Sequence, residues 1–214
     1  MNCYEDIHRL VVTAIIWICW CVVHSLLNSE GLVARILAPD NRIRPYYRLM
    51  YGVFSAITLA IVYWITPREN DVPVIKWQGI FVAGQSVIWV VALAMGCLSF
   101  RFINIWDFLG LTAPGIGSKA RDTSNRLVTW GIYGEIRNPQ FLAGLLLIWA
   151  RDLTCTGLVI NVVLSIYLIF GAFIEEKRLI RKFGDEYVRY KSHVPRFIPK
   201  RLPPLRSLCD AQDR

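Results

Sequence analysis

Long apolar segments constrain the fold of this chain more than any other feature. A helix needs about 20 residues to cross the roughly 30 Å of hydrocarbon in a bilayer. Three uninterrupted segments reach or approach that length: Leu10–Leu27, Leu49–Ile65 and Gly79–Phe100. A fourth region, Phe141–Ile174, is apolar except for Arg151 and Asp152 in its middle. With 55% hydrophobic residues and a mean hydropathy of +0.41, the chain is predicted to be an all-α integral membrane protein.

The distribution of basic residues predicts the topology. Of the 24 lysines and arginines, 20 lie in three stretches: residues 28–48, residues 101–137 and the residues after 174. Because basic residues accumulate on the cytoplasmic side, we predict that the N-terminus lies outside and the C-terminus in the cytoplasm. The fourth apolar region must then cross an even number of times. The prediction is five transmembrane helices, of which the last two, Phe141–Ala150 and Leu153–Ile174, form a hairpin.

The remaining segments complete the predicted organisation. We expect Leu10–Leu27 to be a span and not a cleaved signal peptide, because acidic residues precede it and no small-residue cleavage site follows. Residues 1–100 are predicted to form a three-helix transmembrane scaffold. Beyond the last span, Leu179, Phe183 and Tyr187 recur at a spacing of four residues, which predicts an amphipathic helix on the cytosolic side. We expect the tail at residues 201–214 to be disordered.

The cysteines and the net charge exclude several kinds of partner. The six cysteines form neither a CxxC pair nor a ligand set with histidine, so we predict no disulfide framework and no metal site. The formal net charge of +8 follows mostly from the basic cytoplasmic segments and favours anionic lipid headgroups. Because these basic residues alternate with apolar ones beside the membrane, we expect membrane lipids as partners and no nucleic acid.

Two polar signatures flank the predicted hairpin. The first spans Gly131–Phe141 and contains Arg137-Asn138-Pro139. The second begins with Glu175-Glu176 and continues to Val194-Pro195-Arg196. Charge beside the hydrocarbon is costly, so it marks a functional site more often than it does in a soluble protein. A hairpin would return both signatures to the same face of the bilayer, where they can share one pocket.

The joint pattern of these signatures resembles the isoprenylcysteine carboxyl methyltransferase superfamily of integral membrane enzymes. The family pattern is Gly-x-Tyr-x-x-x-Arg-His-Pro-x-Tyr-x-Gly, then Glu-Glu, then Phe-Gly-x-x-Tyr-x-x-Tyr and Val-Pro. It runs through residues 129–199 of this chain. The segments at residues 24–27 and 106–111 are similar to the bacterial branch near the methanethiol S-methyltransferases and the NnrU-like proteins. The resemblance implies a methyltransferase in a bacterial inner membrane, with residues 101–200 as its cofactor-binding catalytic region.

The resemblance also assigns roles to individual residues. It implies a cytosol-facing pocket for S-adenosylmethionine, closed by the loop before the hairpin and by the C-terminal helix. Arg137 and Glu176 fall at the catalytic positions. The residues implied in cofactor binding are Asn125, Arg126, Leu127, Val128, Tyr133, Asn138, Pro139, Gln140, Phe141 and Glu175.

The residue types suit this cofactor, which is a sulfonium cation with an ammonium group, a carboxylate and ribose hydroxyls. Glu175 and Glu176 can pair with the ammonium group or the ribose hydroxyls. Tyr133 and Phe141 can stack on the adenine or face the sulfonium. In-line methyl transfer needs no metal, and most of the acceleration comes from holding donor and acceptor in contact in a dry pocket.

Departures from the family pattern concern the methyl acceptor. Asn138 replaces the family's histidine and Phe141 replaces its tyrosine. Prenylcysteine enzymes also carry an arginine about one helical turn before the glutamates, where this chain has Gly171-Ala172-Phe173. Arg178 or Arg181 could substitute for that arginine from the other side, so a carboxylate acceptor stays open but is disfavoured. We therefore predict a thiol or another small or lipophilic nucleophile as the acceptor.

Two other functions remain open at this point. A non-catalytic membrane protein of the same fold would explain the changes at Asn138 and Phe141. A membrane reductase that uses NADPH is the other alternative, although it would need more basic residues for the cofactor phosphates. Binding of the methionine cofactors, of NADPH or of neither distinguishes the three functions.

Overall fold

The computed structural model describes residues 3–29, 46–68, 71, 73–102 and 126–199. This part of the chain is mostly helical, as predicted. The helices are α1 (Cys3–Leu27), α2 (Tyr47–Ile65), α3 (Phe81–Phe102), α4 (Ile132–Glu135), α5 (Pro139–Trp149), α6 (Cys155–Phe183) and α7 (Asp185–His193), and the strands are β1 (Pro73–Ile75) and β2 (Leu153–Thr154). The predicted disordered tail at residues 201–214 and the motif at residues 106–111 lie outside the described residues.

Four helices of the described residues are long and apolar enough to cross a membrane, namely α1, α2, α3 and α6. They correspond to the three long apolar segments found in the sequence and to the second half of the fourth apolar region. Their apolar side chains are widely exposed, and α2 has no buried residue at all. Surfaces of this kind suit contact with lipid, which is as apolar as the side chains themselves. These features support the predicted location in a membrane, while α5, with 11 residues, is much shorter.

Helix α6 differs from its predicted bounds at its C-terminal end. The sequence predicted a span that ends at Ile174 and a separate amphipathic helix that includes Leu179 and Tyr187. In the structure α6 continues to Phe183, and the break falls at Gly184, whose φ is +55°. A positive φ is accessible to glycine because it lacks a Cβ atom. Both glutamates of the second signature therefore lie inside a continuous helix.

The described chain separates into two compact units, and α6 contributes to both. Residues 3–76 and 152–164 belong to the first unit, and residues 77–102, 126–151 and 165–199 to the second. The boundaries of these units differ from those predicted for the scaffold (residues 1–100) and for the catalytic region (residues 101–200). The two predicted regions stay a prediction.

In the first unit, neutral hydrogen bonds join α1 to α2. Trp17 Nε1 donates to Thr66 Oγ1 at 3.0 Å, just beyond the end of α2. Trp20 Nε1 donates to Thr58 Oγ1 at 3.1 Å. The Tyr51 hydroxyl is hydrogen-bonded to the ring of His24, at 2.8 Å from Nε2. Each of these contacts pairs a side chain of α1 with one from α2 or its end.

The first unit also contains a small antiparallel pair of strands that the all-α prediction did not include. Pro73 of β1 pairs with Thr154 of β2, and Ile75 pairs with Leu153. The start of α6 follows directly, where Asp71 Oδ1 accepts a hydrogen bond from the Thr156 backbone at 3.0 Å. A carboxylate at this position satisfies one of the amides that a helix leaves unpaired in its first turn.

In the second unit, side chains from α3 and the turn before it satisfy the end of α5. The Ala150 carbonyl accepts hydrogen bonds from Trp89 Nε1 at 2.6 Å and from Gln85 Nε2 at 3.2 Å. Trp77 Nε1 donates to the Arg151 carbonyl at 3.1 Å. The last carbonyls of a helix have no partner within the helix, so these indole and amide donors fix the point where α5 ends.

The second unit also packs α5 along the middle of α6. Trp149 Nε1 donates to Ser165 Oγ at 2.9 Å. Towards the start of α5, Gly144 faces Leu168, and the ring of Phe141 lies against Gly171. A Cβ atom built on Gly171 would lie only 2.9 Å from Phe141 Cε1, so only glycine allows this approach. The order of these contacts is antiparallel.

Candidate functional site

A buried carboxylate joins the two polar signatures. Glu176, on α6, has only 2% of its surface exposed. Arg196 donates to both of its oxygens, from Nε to Oε1 at 2.8 Å and from Nη2 to Oε2 at 2.9 Å. This two-point geometry is the strongest arrangement available to an arginine and a carboxylate. It brings the segment after α7 onto the C-terminal part of α6.

The first signature supplies two more donors to the same carboxylate. Asn138 Nδ2 donates to Glu176 Oε1 at 2.8 Å. The guanidinium of Arg137 lies beside it, with Nη2 3.1 Å from Oε1. An ionised carboxylate offers about four lone-pair positions, so these three side chains occupy it fully. We call Arg137, Asn138, Glu176 and Arg196 the clamp.

Backbone contacts hold the clamp in register. The Arg137 amide donates to the Pro195 carbonyl at 2.9 Å, and the Asn138 amide donates to the Arg196 carbonyl at 3.2 Å. Arg137 Nη1 also donates to two carbonyls, those of Lys191 at 2.6 Å and Val194 at 3.0 Å. The first signature and the segment at residues 194–196 therefore form one extended contact.

The local sequence explains why Asn138 is free to join the clamp. Asn138 is the N-cap residue of α5, and Pro139 follows it in the first turn. Proline suits this position because its missing amide proton would have no partner there. An N-cap asparagine usually accepts a hydrogen bond from its own helix, but the Asn138 side chain makes no such bond. Its amide donates to Glu176 instead.

Two buried tyrosines and a partly buried one lie around the clamp. The Tyr190 hydroxyl donates to the Tyr133 carbonyl at 2.5 Å, which ties α7 to α4. Tyr187 is 1% exposed, and its ring meets that of Tyr190 edge to face at 5.5 Å between centroids. Burial raises the pKa of Tyr187 to about 12 and raises the pKa values of Tyr133 and Tyr190. All three hydroxyls are therefore neutral at physiological pH.

The two adjacent glutamates occupy different environments. The Glu175 side chain is 40% exposed, and its nearest charged partner is Arg178 at 3.7 Å on the same helix. Successive helical residues point about 100° apart, so Glu176 faces inward and Glu175 does not. Of the two carboxylates, Glu175 is the one whose oxygens are open to a ligand.

The other predicted site residues vary in their placement. Asn125 lies outside the described residues. Arg126 is exposed, with its guanidinium 5.4 Å from the centre of the Trp130 ring. Leu127, Tyr133 and Pro139 are buried, and Val128, Gln140 and Phe141 are partly buried. The structure thus brings Arg137, Asn138 and Glu176 together, while the ligand contacts predicted for the remaining residues stay predictions.

Sequence reasoning missed Arg196 as a member of the site. Its guanidinium carbon lies 3.7 Å from the centre of the Phe173 ring, in addition to its two bonds to Glu176. The Val194-Pro195-Arg196 signature marked this segment, but nothing in the spacing indicated which carboxylate the arginine meets. Arg196 therefore reaches Glu176 from 20 residues further along the chain.

Among the residues that the structure describes, no group of three or more histidines, cysteines, aspartates or glutamates is placed to hold a metal ion.

Comparison with known proteins identifies a class of relatives, bacterial proteins named methanethiol S-methyltransferases. The chain is 30% identical over 165 residues to methanethiol S-methyltransferase 1 of Bradyrhizobium diazoefficiens, covering 74% of this chain and 56% of the relative. It is 28% identical over 165 residues to methanethiol S-methyltransferase of Crocosphaera subtropica, covering 73% of this chain and 62% of the relative. It is 26% identical over 202 residues to the protein of that name from Pseudomonas deceptionensis, covering 89% and 72%.

These similarities confirm the predicted resemblance to the methanethiol S-methyltransferases, since the chain is similar to proteins of that name over most of its length. The chain spans less than two thirds of the length of the first two relatives. No family model matches the chain. No solved structure matches it significantly.

Proposed function

We propose that this chain is a membrane methyltransferase that uses S-adenosylmethionine and acts on a thiol or another small or lipophilic nucleophile. The clamp is the observation that carries this proposal, because it unites the two signatures of the family pattern around one buried carboxylate. The relatives named as methanethiol S-methyltransferases support both the reaction and the sulfur acceptor.

The residues around the clamp fit the polar cofactor. Glu175 offers an exposed carboxylate for the ammonium group or the ribose hydroxyls. Gln140 Nε2 is buried and has no hydrogen-bond partner in the described part of the chain, so it is available to a ligand oxygen. Tyr133 and Phe141 supply aromatic surface. When bound, S-adenosylmethionine would supply an activated methyl group to the acceptor sulfur and would leave as S-adenosylhomocysteine, and the thiol proton would pass to water.

In this proposal the clamp holds the elements of the site in position and takes no part in the reaction. Glu176 is saturated by three donors, and Arg137 is committed to Glu176 and to two backbone carbonyls. Neither side chain is free to exchange a proton with substrate. We therefore assign to Arg137 and Glu176, at the predicted catalytic positions, the role of holding the start of α5 and the segment after α7 against α6.

The contacts of α5 also indicate which class of methyl acceptor the site favours. The Phe141 ring fills the space beside Gly171, where prenylcysteine enzymes carry the arginine that meets a carboxylate substrate. An arginine side chain at residue 171 would collide with that ring. The site consequently favours a neutral or thiol acceptor, in keeping with the names of the relatives.

For the topology, we propose five spans with the N-terminus outside and the C-terminus in the cytoplasm of a bacterial inner membrane. The antiparallel contacts of α5 with the middle of α6 support a hairpin at the fourth and fifth positions. At 1.5 Å per residue, the 11 residues of α5 measure about 16 Å. Such a helix crosses only if the bilayer thins locally or neighbouring segments complete the path.

The deciding experiment is calorimetric titration of the detergent-purified protein with S-adenosylmethionine and S-adenosylhomocysteine, with NADPH as the control ligand. We expect binding of both methionine cofactors and none of NADPH, followed by methylation of small thiols. Binding of NADPH alone would indicate a reductase. Binding of neither would indicate a non-catalytic relative.

A substitution sharpens this test. Glu175→Gln should weaken S-adenosylhomocysteine binding by about tenfold, because a hydrogen bond to a charged group contributes about 1.5–3 kcal/mol. Its melting temperature should stay at the wild-type value, since the Glu175 side chain is 40% exposed. Glu186→Gln, an exposed carboxylate on α7, is the matched control and should change neither quantity. Unchanged affinity in Glu175→Gln would remove Glu175 from the site.

A further inference from the structure

The Tyr187 hydroxyl is a buried polar group without a partner. Tyr187 is 1% exposed, and its hydroxyl makes no hydrogen bond within the described residues. Buried hydroxyls are almost always paired, because leaving one unpaired forfeits its hydrogen bonds to water. An exception of this kind at a candidate site requires an explanation.

Tyr190, one turn further along α7, shows what a structural tyrosine does here. It is partly buried, and its hydroxyl donates to the Tyr133 carbonyl at 2.5 Å. The two rings touch edge to face, so they share one environment. The two residues differ in their hydroxyls. The Tyr190 hydroxyl holds α7 in place, whereas the Tyr187 hydroxyl is available to a ligand.

The charges near Tyr187 indicate the kind of ligand that suits it. Arg137, Arg196 and Glu176 act on this hydroxyl electrostatically, and so does Glu175. The clamp carries two positive charges and one negative, so it retains one net positive charge beside the open carboxylate of Glu175. A ligand group with a carboxylate and an ammonium complements this arrangement. Gln140, whose amide is also unpaired in the described part of the chain, adds a donor for an oxygen.

We propose that Tyr187 is a cofactor-binding residue whose hydroxyl forms a hydrogen bond with the amino-acid end of S-adenosylmethionine. This assignment rests on the proposed function and adds a contact from α7 to those from α5 and α6. A neutral hydroxyl can donate to the ligand carboxylate or accept from the ammonium group. It would make α7 part of the wall of the pocket as well as its support.

Tyr187→Phe tests the assignment, with Tyr190→Phe as the matched control. We expect Tyr187→Phe to keep the wild-type melting temperature without ligand and to bind S-adenosylhomocysteine about three- to tenfold more weakly, the range for one neutral hydrogen bond. Binding of 5′-methylthioadenosine, which lacks the amino-acid end, should be unchanged. Tyr190→Phe should lower the melting temperature, because it removes the bond to Tyr133.

Four results would overturn the assignment. If Tyr187→Phe lowers the melting temperature and leaves S-adenosylhomocysteine binding intact, the hydroxyl is a structural group. If it weakens both ligands equally, the hydroxyl does not contact the amino-acid end. If wild type and Tyr187→Phe bind equally well, the assignment fails while the proposed function stands. A wild-type protein that does not bind S-adenosylhomocysteine would overturn both.

Discussion

Helices α1 and α2 are joined by separate neutral hydrogen bonds, each between one pair of side chains. The clamp instead gathers charged groups around one carboxylate, that of Glu176. Trp17, Trp20 and Tyr51 each make one such bond across the helix pair. At the clamp, two guanidinium groups and one amide converge on the carboxylate of Glu176. The pair of α1 and α2 can lose one bond and keep the others. The donors of the clamp all share one acceptor, so loss of that acceptor removes all of their bonds to it.

The two arrangements differ in their sensitivity to substitution. Hydrogen bonds between membrane helices contribute about 0.6 kcal/mol on average, because the separated helices find other partners. A buried ion pair stabilises little as a whole, but loss of one partner costs about 3–5 kcal/mol, since the other charge stays buried and uncompensated. We therefore expect large effects at the clamp and small ones between α1 and α2.

Glu176→Gln should give the largest effect. It leaves Arg137 and the partly buried Arg196 without their carboxylate, so we expect a loss of about 3–5 kcal/mol in the free energy of unfolding. Thermal or denaturant unfolding in detergent measures the change. Glu175→Gln is the adjacent control, and we expect less than about 1 kcal/mol because its pair with Arg178 is solvent-exposed. Equal stability of the two variants would show that the clamp does not hold the fold.

The clamp also shows how far sequence reasoning reaches. Arg137, Asn138 and Glu176 could be predicted to lie together because the two signatures flank one apolar region that was predicted to form a hairpin. Which glutamate faces inward could not be predicted. The residues point about 100° apart on the helix, and the choice depends on what packs there. Arg196 could not be assigned because its contact with Glu176 needs the turn at Gly184 and the path of the chain after α7.

The fold likewise has features that could be predicted from the sequence and others that could not. The long spans could be predicted because hydropathy over about 20 residues is a strong signal. The pairing of β1 with β2 could not, since three and two residues are too few for a periodic pattern. Pro73 argues further against a strand, because proline cannot donate a ladder hydrogen bond and is confined to edges.

Gly171→Ala should give an intermediate effect and tests close packing between α5 and α6. The new methyl group would lie 2.9 Å from Phe141 Cε1, so the ring must move, which costs about 1–3 kcal/mol. Gly144→Ala is the control, since its methyl group would meet only Leu168 at 3.4 Å. That change should be neutral or stabilise by up to about 1 kcal/mol, because alanine favours helix. If Gly171→Ala is as stable as Gly144→Ala, the ring of Phe141 does not occupy this space.

Trp20→Phe should give the smallest effect, because it removes one neutral bond and keeps an aromatic ring between α1 and α2. Thr58 Oγ1 also donates to the Phe54 carbonyl at 2.9 Å, so the threonine is not left unpaired. A double-mutant cycle of Trp20→Phe with Thr58→Val isolates the bond, and we expect a coupling free energy of about 0.6 kcal/mol. A coupling as large as the loss in Glu176→Gln would contradict the contrast drawn here. It would mean that a single neutral bond holds this helix pair as firmly as shared charge holds the clamp.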